Sequence, residues 1–322
     1  MFNLTQHFRH SDGVWPLTLV LAYILTTYIG GWVLMAQPGF LLPIIGVLAC
    51  GHGMVIAAYL IHDCGHNALF KKTEYNTYED LRYKHMRHHV DNADPISFDY
   101  RAWLKAHPRT EKAVFALEWC YFPAVDIVMH AMLIIAPFTS IGNREHRRRS
   151  MAVIATRSLL LLALAAWSLK AVLLYALAYL LMLTVLRFFD AYQHNYEILV
   201  NLNDPNAVFP YKGNREYEEN NTYSNLISRR WPVLNLLVLN FCYHNAHHSK
   251  PTMPWYKLPA LHRELYGDNY SRTVGLRGQL RSYHRNRLAG IYAETYGQVE
   301  VPEALRDGKA VPVYGLSFLT AF

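Results

Sequence analysis

Four short segments of the chain place histidines at spacings that suit metal binding. His62 and His66 are four residues apart, so both imidazoles project from one face of a continuing helix. Two later segments share one pattern, in which the first histidine lies one helical turn from the other two. Their members are His85, His88, His89, His244, His247 and His248. His194 is a further candidate, four residues after Asp190.

Nine imidazoles are too many for one metal ion. A tetrahedral zinc ion needs three or four protein ligands, whereas imidazole also suits iron, copper and nickel. Eight or nine ligands suffice for two ions that keep open positions, and a mostly neutral shell lets those ions change oxidation state. We therefore predict a dinuclear non-haem iron centre that activates O2. We expect Asp190 to orient His194 by accepting a hydrogen bond from its ring.

The remaining histidines are interpreted as ordinary side chains. His52 lies inside an apolar run, where an ionisable residue is a functional candidate by default, yet packing with a hydrogen bond is the favoured interpretation. The others show no metal-binding pattern: His7, His10, His107, His130, His146, His262 and His284.

Long apolar runs must position these segments. Hydrophobic residues make up 52% of the chain and charged residues 17%, below the roughly 25% usual for soluble domains. Residues 14–61 contain no Asp, Glu, Lys or Arg, and a turn signal at residues 36–39 divides the run. About 20 residues cross a hydrocarbon core. We predict four membrane spans in two hairpins: about 15–35, 40–61, 151–169 and 171–189.

Charge distribution orients the spans. The two hairpin tips hold one basic residue, Lys170, and the other flanks hold nearly all the rest, which places those flanks on the cytoplasmic side. We expect an all-α, multi-pass integral membrane protein, a single domain over 1–322, in a bacterial inner membrane or an ER-like membrane. A cytoplasmic helical cap, 62–150 and 190–322, would carry the histidines. Within it, 123–141 is interpreted as an interfacial or re-entrant helix, and 231–243 is too short to span.

Other classes of protein are disfavoured. The net charge of +7 could suggest nucleic acid, but the basic residues flank apolar runs, so we expect no nucleic-acid partner. The four scattered cysteines show no disulfide or iron–sulfur spacing.

The three histidine boxes read H-x-x-x-H, H-x-x-H-H and H-x-x-H-H in order. In these boxes the chain resembles the integral-membrane fatty acid desaturase superfamily, which includes acyl desaturases, alkane hydroxylases and related oxygenases. Asp94-Pro95 and residues 251–262 add to a resemblance that runs from about 50 to 265. It implies two iron ions, O2 as co-substrate and a fatty acyl or lipid substrate. The Asp190–His194 pair resembles a position where stearoyl-type desaturases supply a further histidine and a water-holding Asn.

Desaturation of a fatty acid or acyl lipid is the expected reaction. Decarboxylation of a fatty acid to a terminal alkene and alkyl or lipid hydroxylation are alternatives that the boxes cannot separate. A membrane zinc hydrolase is a distant alternative without an H-E-x-x-H motif, and a haem protein would need histidines deep in two or more spans.

The sequence shows no redox module, so we expect an external electron donor: a ferredoxin, a rubredoxin or a cytochrome with its reductase. A basic segment could steer an acidic donor or simply enforce topology. Its members are Lys71, Lys72, Arg82, Lys84 and Arg87.

Overall fold

A computed structural model describes residues 4–72, 79–96, 98–139, 144–200, 207–270 and 272–292, and these residues are mostly helical. The side chains of 79–84, among them Arg82 and Lys84, lie outside this description, as do the last thirty residues of the expected cap. The helices, in chain order, are α1 Val14–Ala36, α2 Leu41–Gly65, α3 Glu79–Asp91, α4 Tyr100–Ala106, α5 Pro108–Trp119, α6 Ala124–Ile135, α7 Arg147–Trp167, α8 Leu169–Asp190, α9 Arg215–Asn221, α10 His244–Ser249, α11 Leu258–Tyr266 and α12 Leu276–Tyr292.

Four of these helices are long and apolar enough to cross a membrane, as expected: α1, α2, α7 and α8. They contain 21 to 25 residues, which corresponds to about 32–38 Å at 1.5 Å per residue. α2 extends beyond the predicted end of its span to Gly65, and this extension carries His62. α7 begins at Arg147, before its predicted start, because the three consecutive arginines are already helical.

Close backbone contacts bring three of the membrane helices together. A Cβ on Gly46 of α2 would lie 2.7 Å from the Gly31 carbonyl oxygen of α1, and one on Gly51 would lie 3.0 Å from the Ala178 carbonyl oxygen of α8. Small residues at such positions let apolar helices approach closely where no hydrophobic effect drives their association. The outward faces keep large apolar side chains exposed, among them Leu25, Leu48 and Leu162. The cytoplasmic location of the helix ends away from the two hairpin turns stays a prediction.

The predicted interfacial segment 123–141 contains a helix that packs beside the membrane helices. α5 and the start of α6 are bent by 120° relative to each other. A buried ion cluster ties both helices to α8: Arg187 Nη1 lies 2.6 Å from Glu118 Oε2, and a second arm of the guanidinium contacts Asp126. Residues 140 and 141 lie outside the described part.

One short parallel ladder accompanies the helices. β1, Ala93–Ile96, pairs with β2, Glu197–Val200, with Ala93 opposite Glu197. The ladder joins the segment after α3 to the segment after α8, so it links two of the histidine-bearing regions. The described residues are mostly helical, but the expectation of an all-α protein missed this two-stranded element, because its strands are short and pair across about a hundred residues.

A 3-10 helix, Pro232–Val238, occupies the start of the apolar run 231–243. The largest buried core lies between this segment and the site-facing halves of α2 and α8. Its members include Val55, Ile56, Tyr59, Leu60, Leu183, Leu186, Val238 and Phe241. This core is therefore adjacent to the end of α2 that carries His62.

Candidate metal centre

The end of α2 presents the first two histidines. The helical bond from His66 N–H to the His62 carbonyl keeps both on one face, and Asn67, at φ 53°, then turns the chain away. Between them, Asp63 Oδ2 accepts a hydrogen bond from the Trp255 backbone N–H at 2.8 Å. This bond fixes the end of α2 to the segment that follows the third histidine box.

The other boxes lie on short helices. α3 carries His85, His88 and His89, and the six-residue α10 begins at His244 itself. Two left-handed residues, Leu239 and Asn240, turn the chain just before α10. The turn lets the 3-10 helix and α10 both pack against α2.

Five histidines form what we call the first cluster. Each offers a ring nitrogen, and these five nitrogens all lie within 4.8 Å of one another. All five side chains are buried. One comes from α2, one from the residue just after α2, two from α3 and one from α10: His62, His66, His85, His89 and His247.

Four further histidines form the second cluster: His88, His194, His244 and His248. Overlapping groups of close nitrogens connect them, and one of these groups also contains His89 of the first cluster. His194 Nε2 lies 2.6 Å from His244 Nε2 and 2.9 Å from His248 Nε2. The two clusters adjoin, because the His89 and His248 rings stack at 4.0 Å. The structure thus brings together all nine histidines that the sequence singled out.

Burial favours the neutral form of many of these imidazoles. Desolvation lowers the pKa of six of them well below its ordinary value, and neighbouring imidazoles lower it further. These six are His85, His89, His194, His244, His247 and His248. A neutral ring nitrogen is the form that binds a metal ion.

Within the described part of the chain, some ring nitrogens in the clusters lack a hydrogen-bond partner, and a bound cation could take that place. Neither ring nitrogen of His62 makes a hydrogen bond to the described residues, and Asp63 Oδ1 is 3.7 Å from Nδ1, beyond hydrogen-bond range. A buried polar group left without a partner costs about 1–3 kcal/mol. One cation in each cluster would satisfy several converging nitrogens at once.

Two carboxylates lie beside the second cluster. Asp94 Oδ1 lies 2.7 Å from His88 Nδ1, which also lies 3.1 Å from the Ala93 carbonyl oxygen, and Glu218 Oε1 lies 3.0 Å from His248 Nδ1. An imidazole that donates one N–H to a carboxylate presents its other nitrogen as a ligand in a fixed orientation. Burial raises the pKa of Glu218, whereas the nearby charge of Arg215, at 2.8 Å from Oε2, lowers it. Sequence reasoning missed Glu218, because nothing in its local pattern marks it.

Asp190 is buried at the C-terminal end of α8, where its carbonyl accepts the Gln193 N–H. The next turn delivers His194, whose ring stacks on Tyr196 at 4.7 Å. The contact expected between the Asp190 carboxylate and His194 stays a prediction.

The histidines interpreted as ordinary lie outside both clusters where the structure describes them. His262 is the closest to α10, with Nδ1 3.2 Å from Asn245 Oδ1, and burial lowers its pKa to about 4. His52 makes two hydrogen bonds, in agreement with its interpretation as a packed side chain.

Aromatic side chains pack against both clusters. Phe241 stacks on Tyr59 at 4.5 Å and meets the His62 ring edge-on at 4.7 Å. The same phenyl ring lies 5.1 Å from His244, so it touches a member of each cluster.

A model of the fatty acid desaturase family matches residues 38–277, about three quarters of the chain. The chain belongs to this family. Neither a curated protein sequence nor a solved structure matches it. This fatty acid desaturase family member is therefore an integral membrane oxidoreductase of lipid metabolism that acts on fatty acyl chains, and its histidine clusters can bind metal.

Proposed function

We propose that the protein is an O2-dependent di-iron desaturase of fatty acids or acyl lipids. The observation that carries the proposal is the separation of nine buried imidazoles into two adjoining clusters. A single tetrahedral zinc ion of a hydrolase would use only three or four of these nine ligands. Two redox-active ions held mainly by neutral ligands suit the removal of two hydrogens from an unactivated chain.

In this proposal all nine histidines are metal ligands. The first cluster holds one iron ion and the second cluster holds the other, with the Asp94 and Glu218 carboxylates orienting His88 and His248. Asp190 orients His194, as the sequence predicted. When bound, the two ions supply the oxidising chemistry that this reaction requires, and the protein supplies ligand geometry and substrate placement.

The overall reaction balances with an external reductant. The substrate R-CH2-CH2-R′ loses two hydrogens to give R-CH=CH-R′, while O2, two electrons and two protons complete the formation of two water molecules. The electrons come from a separate donor: a ferredoxin, a rubredoxin or a cytochrome with its reductase. The acyl chain lies among the apolar side chains near Tyr59 and Phe241, which exclude water from the carbon that reacts.

The proposed topology places this chemistry at a cytoplasmic surface. α1 and α2 form one hairpin and α7 and α8 the other, with a cap built from 62–150 and 190–322 in one domain over 1–322. Supporting this topology, α2 and α8 end beside the same histidine clusters, at Gly65 and Asp190.

Product analysis tests the proposal directly. Purified protein reconstituted with iron, a reductase–ferredoxin pair and O2 should convert a saturated acyl chain into a product lighter by two hydrogens, identified by mass spectrometry. A terminal alkene one carbon shorter would indicate decarboxylation, and a product heavier by one oxygen would indicate hydroxylation. Either outcome would contradict desaturation but would remain compatible with the proposed metal centre.

Replacement of one ligand tests the site. The His247→Ala variant should lose most of the iron of the first cluster and all activity, because a five-nitrogen group then loses its α10 member. His262→Ala is the matched control, a buried histidine outside the clusters, and should keep its iron. Full iron and activity in His247→Ala would contradict its role as a ligand.

A further inference from the structure

The middle of α2 carries His52, a histidine outside both clusters. It precedes His62 by ten residues, or about 15 Å along the helix. His52 Nε2 lies 2.9 Å from the Leu237 carbonyl oxygen, and Nδ1 lies 2.5 Å from Tyr23 Oη of α1. Because a carbonyl can only accept, Nε2 donates to Leu237 and Nδ1 accepts from the Tyr23 hydroxyl. Both ring nitrogens are therefore used, and the tautomer is fixed.

This contact places the 3-10 helix Pro232–Val238 beside the middle of α2, a helix long and apolar enough to span a membrane. Its apolar side chains are exposed, with Val233 at 67% and Leu237 at 49%, as expected for a surface that faces lipid. In a membrane that α2 spans, segment 231–243 would enter the bilayer and return. A backbone carbonyl at that depth would have no water to bond, and an unsatisfied polar group in hydrocarbon costs several kcal/mol. The hydrogen bond donated by His52 would remove this cost for the Leu237 carbonyl.

The same segment is tied internally to the third histidine box. The buried Asn235 side chain donates to the Ser228 carbonyl at 3.0 Å and to Tyr243 Oη at 2.9 Å. Its backbone carbonyl accepts the Asn240 N–H at 2.9 Å. Tyr243 immediately precedes His244. A shift of the segment at Leu237 is therefore transmitted to the start of α10.

α2 and α10 must stay in register for the first cluster to form. α2 and the residue just after it supply His62 and His66, and α10 supplies His247. The Phe241 ring, which packs on Tyr59 and His62, lies between the Leu237 contact and α10. The bond from His52 to Leu237 thus joins the helix of the first box to the segment of the third box, at a point away from the ligands themselves.

We propose that His52 is a positioning residue for the metal centre: its hydrogen bond to the Leu237 carbonyl holds segment 231–243 at a fixed depth, and this sets the alignment of α10 with α2. The inference rests on the proposed function in that it takes the histidine clusters to be the metal site. It does not depend on which product forms.

Three substitutions test the role of His52. His52→Phe keeps a ring and removes the donor, His52→Asn keeps polarity but is too short to reach Leu237, and His52→Gln offers an N–H donor at a reach close to that of Nε2. His130→Phe is the control, because His130 also contacts a tyrosine of a membrane helix, Tyr179, but has no bond to segment 231–243 among the described contacts. Each variant is purified in lipid nanodiscs, and its metal content and Mössbauer spectrum are measured beside its helix content.

We expect His52→Phe and His52→Asn to bind the first-cluster metal at least about tenfold more weakly, a typical effect of losing an outer supporting contact. His52→Gln and the control should keep the wild-type metal content and spectrum. Rescue by glutamine separates positioning from simple packing, which phenylalanine would preserve better. His52→Asn keeps the test available if His52→Phe does not fold.

Two results would overturn the inference. One is wild-type metal content and spectra in a folded His52→Phe or His52→Asn protein. The other is a loss in His52→Gln equal to that in His52→Phe. Failure of the proposed function is recognised separately, in the wild-type protein, as the absence of bound iron or of an unsaturated product.

Discussion

Imidazoles held neutral by burial are the basic unit of this site. A histidine on the surface titrates near neutral pH, but desolvation lowers the pKa of members of both clusters, such as His85 and His244. These rings therefore need no deprotonation before they bind metal. The Glu218 carboxylate contacts His248, and the Asp94 carboxylate lies close to the nitrogens of both His88 and His194.

Glu218 provides a prediction at the residue scale. Glu218→Gln should weaken metal binding at the second cluster by about 10–100-fold, because His248 loses a charged acceptor for its Nδ1–H. Competition with a chelator, followed by iron analysis, measures the change. Glu219→Gln, an exposed neighbour on the same helix, is the control. Equal iron retention in the two variants would show that Glu218 does not support His248.

The sequence predicted the candidate histidine ligands better than the side chains that hydrogen-bond to them. Histidines four residues apart on a helix share a face whatever the rest of the fold does, so His62 and His66 could be paired from spacing. Glu218 comes from a helix far along the chain, and its contact with His248 exists only after folding. The division of nine histidines into five and four likewise depends on how α3 and α10 meet.

At the scale of elements, α5, α6 and α8 are joined by buried charge. Arg187 contacts Glu118 and Asp126, and all three side chains are almost fully buried. Removing one partner of such a cluster leaves charge without compensation in a dry environment. The sequence showed Asp126 as an interruption of an apolar stretch, but it gave no sign of the residue that neutralises it.

Arg187→Met should therefore destabilise the protein by about 3–5 kcal/mol. The shift in the midpoint of thermal or denaturant unfolding in nanodiscs measures this effect. Arg148→Met, at an exposed position near the start of α7, should change the midpoint little. An unshifted midpoint for Arg187→Met would mean that the buried ion cluster contributes nothing to stability.

Sequence predicts the four long helices better than it predicts the position of segment 231–243. Long apolar runs predicted α1, α2, α7 and α8 to within a few residues. The run 231–243 is too short to span, and hydropathy does not distinguish a segment on the membrane surface from one that enters the membrane. The contact between His52 and Leu237, 185 residues apart, supports the proposal that this segment enters it.

At the scale of the whole molecule, sidedness is a prediction that one cysteine can test. Cys120 is exposed at the end of α5, in the expected cytoplasmic cap, whereas Cys50 and Cys242 are buried. A maleimide that cannot cross membranes should label Cys120 in inverted membrane vesicles and leave it unlabelled in sealed right-side-out vesicles. The opposite result would reverse the orientation derived from the basic flanks.

A second position provides the control for this labelling. Phe40 is 77% exposed at the turn between α1 and α2, at the expected outer surface. The Phe40→Cys variant, made in a Cys120→Ser background, should show the reverse pattern of labelling.

The central claim is that two iron ions occupy the adjoining histidine clusters, and metal analysis tests it most directly. Protein expressed with ample iron and zinc, purified in nanodiscs and analysed by mass spectrometry, should contain about two iron ions per chain, since one ion needs about four of the nine imidazoles. A content of one zinc ion and no iron in folded protein would contradict the claim.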